Sequence, residues 1–200
     1  MTVAEIRTLL ARAFVADPLM VWVFPDEHDR QQALAAWLGL MVERYVEAGE
    51  VDVVREERLA AVALWRRPST TLAGPADLLP TADGLLRALL GADRAAEVAA
   101  GFAAVRAGTP EDDVPHCYLH FLAVDPDARR RGLGARLLAG VLDRSRAAGV
   151  PLRLDTTNPG NLPFYESHGL RVRSEARLGP TGPVMWGLQS TGTTTGAAAS

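Results

Sequence analysis

A junction near residue 125 constrains this chain more than any other feature. The run His116-Cys117-Tyr118-Leu119-His120-Phe121-Leu122-Ala123-Val124 is rich in aromatic and apolar residues and is closed by Asp125-Pro126. It reads as a strand. Beyond it, Leu133, Leu137, Leu138, Val141 and Leu142 recur at helical spacing. Between the two lies Arg129-Arg130-Arg131-Gly132-Leu133-Gly134. Glycines at a strand-to-helix handover let backbone N–H groups approach a ligand closely. A helix N-terminus adds unpaired donors and positive partial charge. The combination suits a pyrophosphate, with arginines as mobile counter-charge.

Three phosphate loops compete for this junction. A P-loop requires a lysine for the terminal phosphates, and the chain has no lysine. A dinucleotide fingerprint requires a third glycine, where this chain has Leu137. Asp155 stands where that fingerprint's acidic residue belongs, but the loop itself fails. The third pattern, [RQ]-x-x-G-x-[GA], is met by Arg129, Gly132 and Gly134. A second motif follows: Asn158-Pro-Gly-Asn161-Leu-Pro-Phe-Tyr165-Glu-Ser-His-Gly169-Leu170, read as loop, short helix and glycine stop.

The two motifs, in this order and at this separation, resemble those of the GNAT N-acetyltransferase family. The likeness covers roughly residues 1–189. Within the family it leans toward small-molecule acetyltransferases of the puromycin N-acetyltransferase type, through Ala60-Ala-Val-Ala-Leu-Trp65-x-x-Pro68, Asn161-Leu-Pro-Phe-Tyr-Glu and Trp186. The resemblance implies an α+β fold in which helices flank a central mixed sheet and splayed central strands hold acyl-CoA. It also implies transfer of the acetyl group of acetyl-CoA to an amine by direct attack on the thioester. By the same resemblance, backbone groups of Leu122, Ala123 and Val124 hold the pantetheine arm and polarise the thioester carbonyl. Arg129, Arg130, Arg131, Gly132, Leu133, Gly134 and Ala135 wrap the pyrophosphate, with at least one arginine left as solvated charge. Asn158 contacts the cofactor, caps the next helix, or both. Tyr165 is the general acid, since a phenol with a pKa of about 10 stays protonated at pH 7 and can serve a departing thiolate. The family usually opens with a strand before its first helix, whereas this chain opens almost directly in a helix.

The base that deprotonates the amine has two candidates and an alternative. His120 has a suitable ordinary pKa of about 6.5 and would share a face with Tyr118 and Leu122 on a regular strand. Asp155 ends the following strand. A chain of waters would make neither a true base. The acceptor wall is expected from Asp17, Trp22 and Phe24 together with Tyr118, although the stretch around residues 17–24 reads equally well as an apolar staple between helices. Rival functions remain open: an acyl-CoA-binding sensor without turnover, a protein or peptide N-acetyltransferase, or transfer of a longer acyl group.

The rest of the chain bounds these readings. Two hundred residues, 48% hydrophobic and 22% charged, suit one domain at residues 1–190. A tail at residues 191–200, made only of Thr, Gly, Ala and Ser, is expected to be disordered. A net charge of −3 gives no reason for a nucleic acid or an anionic membrane as partner. A lone Cys117 and the lack of a signal peptide or long apolar run point to a cytoplasmic protein. No metal site is suggested, and a homodimer fits the resemblance. Thr2-x-x-Glu5 has the form of a capping box. Helices are predicted from there to about residue 17, then at about 29–48, 82–90 and 92–107. Hairpins are predicted at 51–65 and, late in the chain, at about 170–189.

Overall fold

A computed structural model describes residues 1–48, 50–72, 79–108 and 114–191. The tail beyond Thr191 and parts of the loops expected at 68–80 and 108–115 lie outside the described residues.

The chain begins as the capping box predicts. In α1 (Val3–Phe14) the Glu5 backbone N–H donates to Thr2 Oγ1 at 3.2 Å, and the Thr2 N–H donates back to the Glu5 carboxylate at 2.8 Å. Such a cap contributes about 1 kcal/mol. The next residues were expected to be a connection, but they form a short helix, α2 (Pro18–Val23). Asp17 caps it by accepting from the Leu19 N–H at 3.0 Å, and Pro18 pre-sets φ for the first turn. The buried guanidinium of Arg30, at the head of α3 (Arg30–Ala48), donates to the carbonyls of Phe24 (2.6 Å) and Pro25 (2.8 Å). It thereby satisfies acceptors that the turn into α3 leaves without helical partners.

A hairpin follows, β1 (Val51–Arg55) and β2 (Leu59–Arg66), then α4 (Ala82–Leu90) and α5 (Ala92–Gly108). The remaining elements are β3 (Cys117–Val124), α6 (Leu133–Ala147), β4 (Leu152–Thr156), α7 (Leu162–Ser167), β5 (Leu170–Arg177) and β6 (Val184–Ser190). The strands form one sheet in the order β1-β2-β3-β4-β6-β5. Among the described residues, only β3 and β4 run parallel. The expected α+β architecture is therefore present.

Two irregularities in the sheet shape the molecule. The first is a bulge in β3. Leu64 of β2 pairs with Phe121 and Trp65 pairs with Leu119, leaving His120 opposite no residue. Before the bulge, Cys117 and Leu119 face a back core with Leu138 and Val141 of α6; after it, Phe121 and Ala123 face a front core with Ile6, Leu10, Leu34 and Tyr45. Side chains one strand-period apart thus lie on opposite faces. The second irregularity is the seam between β3 and β4. Its pairing consists of Cys117 with Leu152, Tyr118 with Arg153 and Leu119 with Leu154, and then stops. The rest of β3 stays paired with β2 as far as Val124. The sheet therefore opens into a gap between residues 120–124 and the end of β4.

Candidate functional site

The gap is bordered at its head by the arginine-glycine loop. Asp125, buried just past β3, accepts from the Asp127 N–H at 3.0 Å and turns the chain. Asp127 in turn meets Arg58 at 2.5 Å and Arg12 at 2.9 Å. These ion pairs tie α1 and the β1–β2 turn to the start of the loop, a clamp that no spacing in the sequence announces. Arg130 adopts φ +61° and Gly132 φ +74°. Gly132 is the N-cap of α6 and offers no side-chain cap, so the N–H groups of Leu133, Gly134 and Ala135 precede the first helical bond, Arg136 N–H to Gly132 O. Two positive-φ residues ahead of an uncapped helix make a backbone concavity suited to an anion.

The three arginines have separate fates. Arg129 donates to the Ala13 carbonyl at 3.1 Å. Arg131 grips Glu56 with both terminal nitrogens, at 2.9 and 2.6 Å. Arg130 is exposed and has no ion pair among the described residues, so it is the guanidinium left available for phosphate. A Cβ built on Gly134 would lie 3.5 Å from Val124 and 3.9 Å from Phe164. The first turn of α6 therefore lies against both the end of β3 and α7. The donor set fits a pyrophosphate followed by a slender arm running into the gap, as acetyl-CoA requires.

At the far end of the gap stand the titratable groups. Tyr165 is buried in the back core, with its ring edge-on to Phe164 at 5.2 Å. Burial, and secondarily the charge of Asp17, push its phenol up to about 12. Among the described residues its hydroxyl has no hydrogen-bond partner. Asp17 accepts from Thr157 Oγ1 at 3.1 Å as well as from Leu19, and its pKa rises because burial outweighs these bonds. It therefore pins α2 beside the end of β4, next to Tyr165. Asn158 Oδ1 accepts from the Gly160 N–H at 2.9 Å, capping the 3-10 turn at Pro159–Asn161. Of its two expected roles, the structure displays the cap.

His120 and Asp155 divide sharply. His120 stacks on Phe121 at 4.3 Å and lies edge-on to Tyr45 and Tyr118, both at 5.7 Å. Its Nδ1 is 3.2 Å from the Tyr45 hydroxyl. Desolvation, with a smaller contribution from Arg66, lowers its pKa to about 4. It does not share a face with Leu122: the bulge turns Leu122 toward the α6 core, correcting the expectation of a regular strand. Asp155 opens to the cleft. Its Oδ2 accepts from the Tyr118 hydroxyl at 2.7 Å. Desolvation raises its pKa despite that bond.

The two large apolar side chains expected in the acceptor wall are occupied elsewhere. Phe24 is 3% exposed and packs edge-on against Trp37 in the front core. Trp22 donates Nε1 to Thr181 at 3.1 Å, lies under the Arg94 guanidinium at 4.9 Å, and accepts from Arg94 through its carbonyl. It anchors α2 to α5 and to the β5–β6 turn. Of the four acceptor-wall residues, the structure brings Asp17 and Tyr118 to the gap. It also adds Ser174 and Gly187, on the strands beyond β4, which the sequence reading missed. A Cβ built on Gly187 would lie 2.4 Å from Ser174 Oγ and 3.1 Å from Asp155 Oδ1. Only pairing across β4, β6 and β5 reveals this neighbourhood.

Comparison with known proteins agrees with this fold. The acetyltransferase (GNAT) family model matches residues 76–170. A Corynebacterium glutamicum histone acetyltransferase HPA2 and related acetyltransferase superposes with a TM-score of 0.63 at 22% identity, over 97% of this chain and 93% of its own. A mosquito arylalkylamine N-acetyltransferase like 5b gives 0.56 at 19% identity, over 94% of both chains. The Drosophila melanogaster polyamine N-acetyltransferase that forms N-acetylagmatine gives 0.52 at 20%, over 94% of this chain and 93% of its own. At such identities the likeness is one of fold, and the fold is the same helix-flanked mixed sheet. Residues 76–170, which carry the arginine-glycine loop at the head of the open seam, match the acetyltransferase (GNAT) family model, and the chain shares the fold of the acetyltransferase structures named above.

Proposed function

We propose that this protein is an N-acetyltransferase that moves the acetyl group of acetyl-CoA to the primary amine of a small molecule. The observation that carries the reading is the placement of two protonation-ready groups, Asp155 and Tyr165, at the end of the β3–β4 gap whose head is an uncapped helix N-terminus. The small-amine class is supported by the structural neighbours named for arylalkylamine and polyamine acetylation.

Acetyl-CoA supplies an acyl group already activated as a thioester. The N–H groups of Leu133, Gly134 and Ala135, with Arg130, hold its pyrophosphate. Residues Leu122, Ala123 and Val124 line the gap without a strand partner on β4, leaving backbone donors for the thioester oxygen, where charge develops. An alkylammonium has a pKa of about 10 and cannot attack until it loses a proton. Asp155 takes that role. It opens to the cleft, and its raised pKa makes it a better proton acceptor than an ordinary carboxylate. His120, with its pKa near 4 and its ring among aromatics, serves as a neutral wall. Tyr165 keeps its proton at every physiological pH. Tyr165 passes that proton to the departing thiolate, and the phenolate left behind recovers one from the second N–H proton that the attacking amine sheds as the amide forms.

The test is thiol release from acetyl-CoA against a panel of arylalkylamines, polyamines, aminonucleosides and amino acids, with a lysine peptide for contrast. Release with one small-amine class is the expected result. Release with the peptide alone would replace the acceptor class. Tyr165→Phe should lower kcat by about a hundredfold with acetyl-CoA affinity unchanged; unaltered turnover would remove Tyr165 from the chemistry.

A further inference from the structure

Three strands beyond the seam carry an arrangement that the acetyl-transfer reading does not use. Asp155 on β4 pairs with Gly187 on β6, and Gly187 pairs with Ser174 on β5. All three therefore face the same side of the sheet, the side that carries Tyr118. A second bulge helps: between Val172 and Ser174 the β5 register shifts, leaving Arg173 outside the pairing and turning Ser174 toward Gly187. Gly187 is buried and carries no side chain. A Cβ there would lie 2.4 Å from Ser174 Oγ and 3.1 Å from Asp155 Oδ1. The two oxygens thus converge on the place where any other residue would put a carbon.

Both oxygens are also idle. Tyr118 engages Oδ2 of Asp155 at 2.7 Å and leaves Oδ1 without a hydrogen bond among the described residues. Ser174 Oγ likewise has no hydrogen-bond partner among the described residues. Two convergent acceptors, one of them anionic, over bare backbone, form a site for a group with several N–H donors and a positive charge.

We infer that Asp155, Ser174 and Gly187 form the seat for the protonated amine of the acceptor, and that this seat selects primary amines whose amine-bearing carbon carries no carboxylate. The inference rests on the reading of Asp155 as the acceptor-side base. A primary ammonium has three N–H donors. One meets Asp155 Oδ1 and another meets Ser174 Oγ, leaving the nitrogen to face the thioester once Asp155 has taken its proton. Proton transfer forms an O–H bond on Asp155 and leaves the electron pair on nitrogen, which then bonds to the acyl carbon as the C–S bond breaks. A tertiary amine has one N–H and cannot engage both oxygens. An α-amino acid would bring its carboxylate within a few ångströms of Asp155, where like charges repel. Gly187 sets the width of the seat, because a methyl group there would displace the Ser174 hydroxyl.

The experiment compares phenylethylamine with phenylalanine, and agmatine with arginine, in steady-state acetylation by the wild type, Ser174→Ala and Gly187→Ala. Acetyl-CoA KM is read in parallel to show that the donor site is intact. Direct binding of the amines is measured by calorimetry on the same three proteins. The expected result is a wild-type kcat/KM at least tenfold higher for the decarboxylated member of each pair. Ser174→Ala and Gly187→Ala should each raise the amine KM about tenfold, with acetyl-CoA KM within twofold of wild type. Equal amine KM in all three proteins, or preference for the amino acids, would overturn the seat. If the wild type binds phenylethylamine or agmatine, loses that binding in Ser174→Ala, and releases no thiol, the seat stands and acetyl transfer to amines falls. If neither variant changes amine binding, the seat falls whatever the wild type catalyses.

Discussion

His120 shows how one residue's surroundings redirect its chemistry. On sequence it is the textual match for a base: a histidine on a strand beside the cofactor loop. In the structure Tyr45, Tyr118 and Phe121 surround the imidazole and hold its pKa near 4, below its ordinary 6.5. A group whose folded pKa lies below its unfolded value stabilises the fold fully above the unfolded value, and that contribution is lost as pH falls through the interval. The melting temperature should therefore drop as pH is lowered from about 6.5 toward 4. In His120→Gln that drop should be shallower, while kcat at neutral pH stays within a fewfold of wild type. A kcat loss in His120→Gln as large as that in Asp155→Asn would return the imidazole to the role of base. Asp17 and Asp155 have the opposite sign. Their folded pKa values are raised, so both carboxylates oppose folding at neutral pH.

At the scale of elements, the parts legible in the sequence are those with local causes. The capping box at Thr2 and Glu5, the 51–65 hairpin, and the helix that follows Gly132 each depend on residues within a turn or two. The parts that were not legible depend on distant partners. The bulge at His120 exists because β2 pairs on both sides of it. The helix at Pro18–Val23 is held by Thr157 and Thr181, contacts more than a hundred residues away in sequence. The same distinction sorts the site. Loop and tyrosine motif were readable, whereas Ser174 and Gly187 become neighbours of Asp155 only through two antiparallel pairings. The loop yields a direct prediction. Gly132 sits at φ +74° with open space around its missing side chain, so a substitution there meets backbone strain and no clash. Gly132→Val should cost about 1–2 kcal/mol of stability and weaken acetyl-CoA binding. Unchanged affinity would detach the loop from pyrophosphate recognition.

At the scale of the whole molecule, the seam divides the sheet into two unequally supported halves. The strands β1, β2 and β3 pair along most of their lengths, as do β4, β6 and β5, yet among the described residues three residue pairs join the halves. A ligand lodged in the gap should therefore link them. Saturation with acetyl-CoA at a hundred times its Kd should add about 2.7 kcal/mol to stability by mass action. Slowed amide exchange should appear on both β3 and β4. Protection confined to α6 would mean that only the phosphate end is held and the arm does not enter the seam.

The opening has a front and a back. The groups assigned to the donor belong to the layer of α6 and α7, behind the sheet, while Asp155, Tyr118, Ser174 and Gly187 face the layer of α1 to α5 in front. On the proposed assignment, donor and acceptor reach the gap from opposite faces and meet in the plane of the strands. On that assignment the sheet is less a floor on which chemistry is performed than a wall with a window.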